Sequence, residues 1–154
     1  MALAGREVQL EVSSAVEPAS SLGHQFLFIV IPFGRVVAPE LTALVRESAR
    51  TRLALAGIRA VSPALGGERG ALPRLHLRIA DASVTAWDLL LTRRASASLT
   101  LTATMSGAGA LTARGAADRF VTYAFARELG AVLEAAVGEA LDDLLPPAQS
   151  YLAP

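Results

Sequence analysis

From Ser98 to Met105 the chain alternates without a break. Leu99, Leu101, Ala103 and Met105 are apolar, while Ser98, Thr100, Thr102 and Thr104 carry hydroxyls. A period of two places the two sets on opposite faces of a strand, so one face is wet and the other needs a cover. The cover is written further along. From Asp118 the period changes, and Phe125, Leu129, Val132, Leu133, Ala136, Val137, Ala140, Leu141 and Leu144 form a stripe at spacings of three and four. Arg127, Glu128, Glu134, Glu139 and Asp142 mark its other side. An amphipathic helix over a one-sided strand is the minimum of a two-layer domain.

The remaining elements fit that frame. Val8, Leu10 and Val12 alternate with Gln9 and Glu11, a short half-buried strand, and Glu17 to Gly23 reads as a loop. Phe26 to Ile31 is apolar at every position, the pattern of a central strand, with Pro32 as its stop. Pro39 suits the first turn of a helix running to Ala56, with Leu41, Leu44, Val45, Ser48 and Leu55 near one face. Gly57 suits the left-handed position after a helix end. Ile58 to Val61 is a short strand, and Pro63 to Pro73 is a glycine-rich loop. Leu75, Leu77 and Ile79 alternate with His76, Arg78 and Ala80 as a further half-buried strand. Gly107-Ala108-Gly109 is a turn, Ala110 to Arg114 a returning edge strand, and Pro146-Pro147 the end of the last helix. The expected fold class is α+β: an antiparallel or mixed sheet with two helices packed on one face, in the order strand, helix, strands, long C-terminal helix. The 154 residues make one domain of common size, with an ordered core at about 24–146, an N-terminal strand and loop at 1–23 and a tail at 147–154.

Composition narrows the chemistry. There is no Cys, so disulfides, thiol nucleophiles and thiolate metal sites are excluded. The core is aliphatic, since 53% of residues are hydrophobic and only 5% aromatic. All 14 basic residues are Arg, with no Lys and no Asn, a bias that GC-rich codons explain. Fourteen acidic residues balance them, and Arg93-Arg94 is the only adjacent basic pair, so no nucleic-acid footprint is present. No run approaches the roughly 20 apolar residues of a bilayer span, and Met1 to Val12 lacks the apolar region of a signal peptide. The expected location is therefore cytoplasmic, or the periplasm and outer membrane if a targeting segment has been removed.

The catalytic signatures are missing. No G-x-S-x-G turn exists, no Lys can supply a P-loop, and Thr112 stands where a dinucleotide fingerprint begun at Gly107 needs its third glycine. No cofactor and no metal are expected. His24 and His76 lack companions at ligand spacing, and Asp142 and Asp143, about 100° apart on a helix, cannot share a face. Between the two alternating strands, Val84 to Thr92 is apolar on both parities and contains the only tryptophan, Trp87. Simple burial explains it; so does contact with a second subunit or partner, which makes Trp87, Leu89, Leu90 and Leu91 the candidate contact residues.

The run Phe28-Ile29-Val30-Ile31-Pro32-Phe33, followed by a helix ending Leu53-Ala54-Leu55-Ala56-Gly57-Ile58, resembles small bacterial envelope lipoproteins of the YajG-like group, and more distantly the LPS-assembly lipoprotein LptE. Leu75 to Met105 and Asp118 to Leu145 fill the places of the strands and the C-terminal helix. The lipidated Cys of such proteins is absent here, so any membrane contact through a lipid anchor has no residue in this sequence. The resemblance implies no enzymatic activity and no transferable site. It implies instead an envelope accessory or assembly protein whose partners are other envelope proteins or further copies of itself, which a mean hydropathy of +0.44 supports. Two other functions compete: a carrier holding a small hydrophobic ligand between helices and sheet, and a small enzyme using His76 with Asp81 or Asp88.

Overall fold

The computed structural model describes residues 6–16, 21–27, 31–37, 40–63, 72–88, 93–121 and 125–152. In chain order they form β1 (Arg6–Ser14), β2 (Ser21–Leu27), β3 (Ile31–Val37), α1 (Leu41–Leu55), β4 (Ile58–Val61), β5 (Arg74–Asp88), β6 (Arg93–Met105), β7 (Ala110–Val121) and α2 (Phe125–Leu152). The seven strands make one mixed sheet. This is the expected α+β architecture, with the predicted order of strand, helix, strands and long C-terminal helix.

The sheet is organised by β5, whose 15 residues are long enough to hold two neighbours along one edge. Its first half pairs in parallel with β1, from Gln9 opposite Arg74 to Ser14 opposite Ile79. Its second half pairs in parallel with β2, from Gln25 opposite Ala86 to Leu27 opposite Asp88. β4 extends the β1 side and β3 the β2 side. On its other edge β5 pairs antiparallel with β6, and β6 with β7. A register shift between Ile79 and Asp81 keeps the alternation in phase along both halves.

One face of this sheet is covered. Val8, Leu10 and Val12 of β1, Leu75, Leu77 and Ile79 of β5, and Leu99, Leu101 and Met105 of β6 are all buried beneath the helices. α1 presents Leu41, Val45, Ala49 and Leu53, one residue per turn, and lies against β1 and β4. α2 presents Val132, Leu133, Ala136, Val137, Ala140, Leu141 and Leu144, the stripe read from the sequence, and lies against β6 and β7. Gly57 follows α1 at φ 76°, the left-handed turn that lets the chain re-enter the sheet as β4.

Several expectations are corrected, and the loop expected at Glu17 to Gly23 is one of them, since Ser21 to Gly23 open β2. Phe26 to Ile31 is not one central strand: Phe26 and Leu27 end β2, Ile31 opens β3, and residues 28–30 lie outside the described residues. Pro32 is inside β3 opposite Phe26; among the described residues β3 lies at the edge of the sheet, where a proline is tolerated because one side of the strand carries no ladder. Val84 to Asp88 is the second half of β5, and β7 runs on to Val121, so the helix begins at Phe125 rather than near Asp118. Pro146 and Pro147 do not end α2, which continues to Leu152. Leu144, Leu145 and Ala148 stay buried on both sides of them, so packing holds the helix where two N–H groups are missing. Finally, Leu55 is 84% exposed, since it falls on the rim of α1 shared with Ser48 and Arg52 rather than on the Leu41–Leu53 line.

Candidate functional site at the end of the open sheet face

The face of the sheet away from the helices is open, and register assigns it. On β6 it carries Ser96, Ser98, Thr100, Thr102 and Thr104; on β5, Ser83 and Thr85; on β7, Thr112. Two pairs of these hydroxyls meet across strands: Ser83 and Ser98 at 2.7 Å, Thr102 and Thr112 at 3.3 Å. A wet face of Ser and Thr is what β-propensity and solvent together select.

One row departs from that pattern. Register sets Phe26, Trp87, Arg94 and Phe120 side by side on four adjacent strands. Trp87 is half-buried, and the Arg94 guanidinium carbon lies over its ring, 5.9 Å from the centroid. Arg94 is held from the other side by Asp118, one row along β7: Nε donates to both carboxylate oxygens at 2.9 and 3.1 Å, and an Nη donates to Oδ2 as well. The bonded guanidinium holds the Asp118 carboxyl below the usual carboxylate range, and the carboxylate in turn raises the Arg94 pKa. Next to this fixed cation, Phe120 is 74% exposed. Trp87, Arg94 and the exposed Phe120 thus form one row whose cation is held in place before anything binds.

The residues singled out by sequence divide accordingly. Trp87 lies in the row. Leu89, Leu90 and Leu91 lie outside the described residues, between β5 and β6. Phe120, Arg94 and Asp118 were not foreseen as a group. The alternation of Arg114, Ala116, Asp118 and Phe120 held the signal, but the polar start resembled the first turn of a helix. His76 lies on the open face, and its Nε2 is 2.7 Å from Ser13 Oγ. It is not brought to Asp81 or Asp88, which follow on the same strand; at about 3.3 Å per residue they sit on the order of 16 and 40 Å away. His24 is placed in β2, and its side chain lies outside the described residues. Among the described residues no group of three or more His, Asp or Glu could hold a metal ion. Asp142 is not simply solvated: it accepts from Arg52 Nε of α1 at 2.7 Å and ties the helices together. The groove beside this pair, with a volume of about 550 Å³, is lined by Arg52, Arg119, Glu134, Glu139, Asp142 and Asp143, a charged wall unlike the apolar pocket an acyl chain requires.

No family model matches the sequence, and no curated protein matches it. Solved structures do. A protein of the DUF330 family from Xanthomonas campestris superposes with a TM-score of 0.55 at 12% identity, over 99% of this chain and 91% of that one. A minor lipoprotein from Acinetobacter baumannii gives 0.53 at 9% identity, over 96% and 94%. The fold is one found among bacterial lipoproteins. Rare lipoprotein B from Shewanella oneidensis is also matched, with a TM-score of 0.45 at 21% identity over 94% and 96%. At these identities the two likenesses above a TM-score of 0.5 are likenesses of fold alone.

Proposed function

We propose that this chain is a non-enzymatic accessory or assembly protein of the bacterial envelope that works through protein–protein contacts, made at the Trp87–Arg94–Phe120 row. The observation that carries the reading is Phe120. A phenyl ring 74% exposed beside a guanidinium already fixed by Asp118 and Trp87 costs little to order on binding and gains from being covered. The surrounding Ser and Thr hydroxyls provide a polar rim. The lipoprotein fold and the sequence resemblance to YajG-like and LptE-like proteins support an envelope setting; a specific relation to either group is part of the proposal.

The test uses the full chain expressed from its own genomic locus with a C-terminal epitope. After fractionation and mild detergent extraction, the protein is expected in the envelope fraction, in an assembly larger than its own 16.0 kDa. Phe120→Ser should leave the melting temperature unchanged and release the chain from that assembly. Recovery of the parent only in the cytosol, or co-migration of Phe120→Ser with the parent, contradicts the proposal.

A further inference from the structure

Among the described residues β7 is an edge strand of the sheet, paired with β6 on one side only. In an antiparallel ladder alternate residues turn their N–H and C=O groups outward. Ala116 is one of these, because its N–H donates to a side chain of α2: Glu139 Oε2, at 2.8 Å. Thr112, Arg114, Asp118 and Phe120 share its parity and so face the same way. The donor is an exposed strand amide and the acceptor an exposed carboxylate that has reached round the rim of the strand. α2 cannot move aside to vary that contact. It crosses β7 at Gly115, where a Cβ would stand 1.8 Å from the Ala136 carbonyl oxygen and 2.7 Å from the Ala140 nitrogen.

The sequence of β7 is self-complementary about Ala116. If a second β7 lay antiparallel along this edge with Ala116 opposite its own copy, Arg114 would face Asp118 of the other chain, on both sides of the two-fold axis. Thr112 would face Phe120. Opposite charges directly across an antiparallel pair stabilise it, and Asp118 keeps 42% of its side chain exposed despite Arg94. A twelve-residue edge with this pattern is a template for pairing between copies. Glu139 takes the one N–H that lies on the axis and sets a carboxylate in the plane the incoming strand would occupy.

We propose that the outer edge of β7 is a self-pairing edge held shut by Glu139, and that the strand which the carboxylate excludes is β7 of a second copy. The proposal rests on β7 and α2; it shares Asp118 and Phe120 with the surface around the Trp87–Arg94–Phe120 row, whereas Glu139 and Arg114, which its test changes, lie outside that row. Glu139→Ala frees the Ala116 amide, and light scattering of the purified chain should then show a doubling of the assembly mass of the parent at the same concentration. Glu139→Gln keeps a carbonyl acceptor and should retain the parent mass. Adding Arg114→Pro to Glu139→Ala removes an outward N–H and one charge of the pair without touching a bond to β6, and should restore the parent mass. If Glu139→Ala fails to melt cooperatively, Glu139→Asp, one methylene shorter, is measured the same way. An unchanged mass in the Ala or Asp variant overturns the proposal, and so does a doubling that Arg114→Pro leaves in place.

Discussion

The two faces of β5 and β6 are written in one alternating sequence, yet they treat size in opposite ways at the two ends of the sheet. Near the β1 end, the covered face holds the bulk: Leu75, Leu77, Ile79, Leu99 and Leu101, none more than 1% exposed, stand back to back with Thr100, Thr102 and Thr104. Toward the β2 end the covered face narrows to Ala82, Val84, Ala86, Ala95 and Ala97, all buried and mostly alanine, and the open face carries Trp87 and Phe120. The first arrangement is fully explained by covering a core. The second is not, since a large apolar side chain in water gains nothing for the isolated fold. The end of the sheet where size is inverted is therefore the end that the proposed contact surface would account for.

That contrast can be broken most severely at the covered end. Leu133 of α2 is 2% exposed, and Leu133→Ala should cost about 2–5 kcal/mol, read by denaturant unfolding. Thr102→Ala on the open face should stay within about 0.5 kcal/mol of the parent; equal effects from the two would erase the distinction between faces. A smaller loss is expected at Gly115. Alanine there drives a methyl into the Ala136 carbonyl, so α2 must lift from β7, and overpacking of this kind costs about 1–3 kcal/mol. A neutral Gly115→Ala would mean that the helix is not seated directly on the strand.

The smallest effect sharpens the other end. The Asp118 carboxyl is held low mainly by its hydrogen bond from Arg94, with burial opposing and the guanidinium charge adding. A carboxyl with a lower pKa folded than unfolded stabilises the fold above its unfolded pKa and loses that contribution as pH falls through the folded value. Asp118→Asn should therefore melt slightly below the parent at neutral pH, and the gap should begin to narrow near about pH 4, where Asp118 of the unfolded chain takes its proton, and close only once the pH has fallen through the lower folded value. A gap that persists or widens in acid would show that the pair is not what holds Arg94.

Alternation made most of the sheet legible. β1, β6 and the first half of β5 each carry a large apolar residue at every second position, and the covering stripe of α2 was equally clear. The failures have separate causes. β7 was cut short at Arg114 because its inward residues beyond that point are Gly115 and Ala117, and they are small because the backbone of α2 rests there. A strand pressed against a helix loses the very bulk that would announce it. The hairpin of β2 and β3 was hidden by the opposite fault, an unbroken apolar run from Phe26 to Ile31 that offered no turn residue. Helix α2 runs on past Pro146 and Pro147, with Leu144, Leu145 and Ala148 buried on both sides of them, a packing contribution that local propensity omits. The row at the open face depended on pairing Trp87 with Arg94 and Arg94 with Phe120, and cross-strand register is not a local property of any segment.

The account turns on whether the open aromatic end is a contact surface. A photo-activated benzophenone amino acid placed at Phe120 in living cells measures that directly, with Leu55, exposed to a similar degree at the end of α1, as the control position. The account predicts a discrete cross-linked band from position 120 and none from position 55. No band from position 120, or the same band from both, would contradict it.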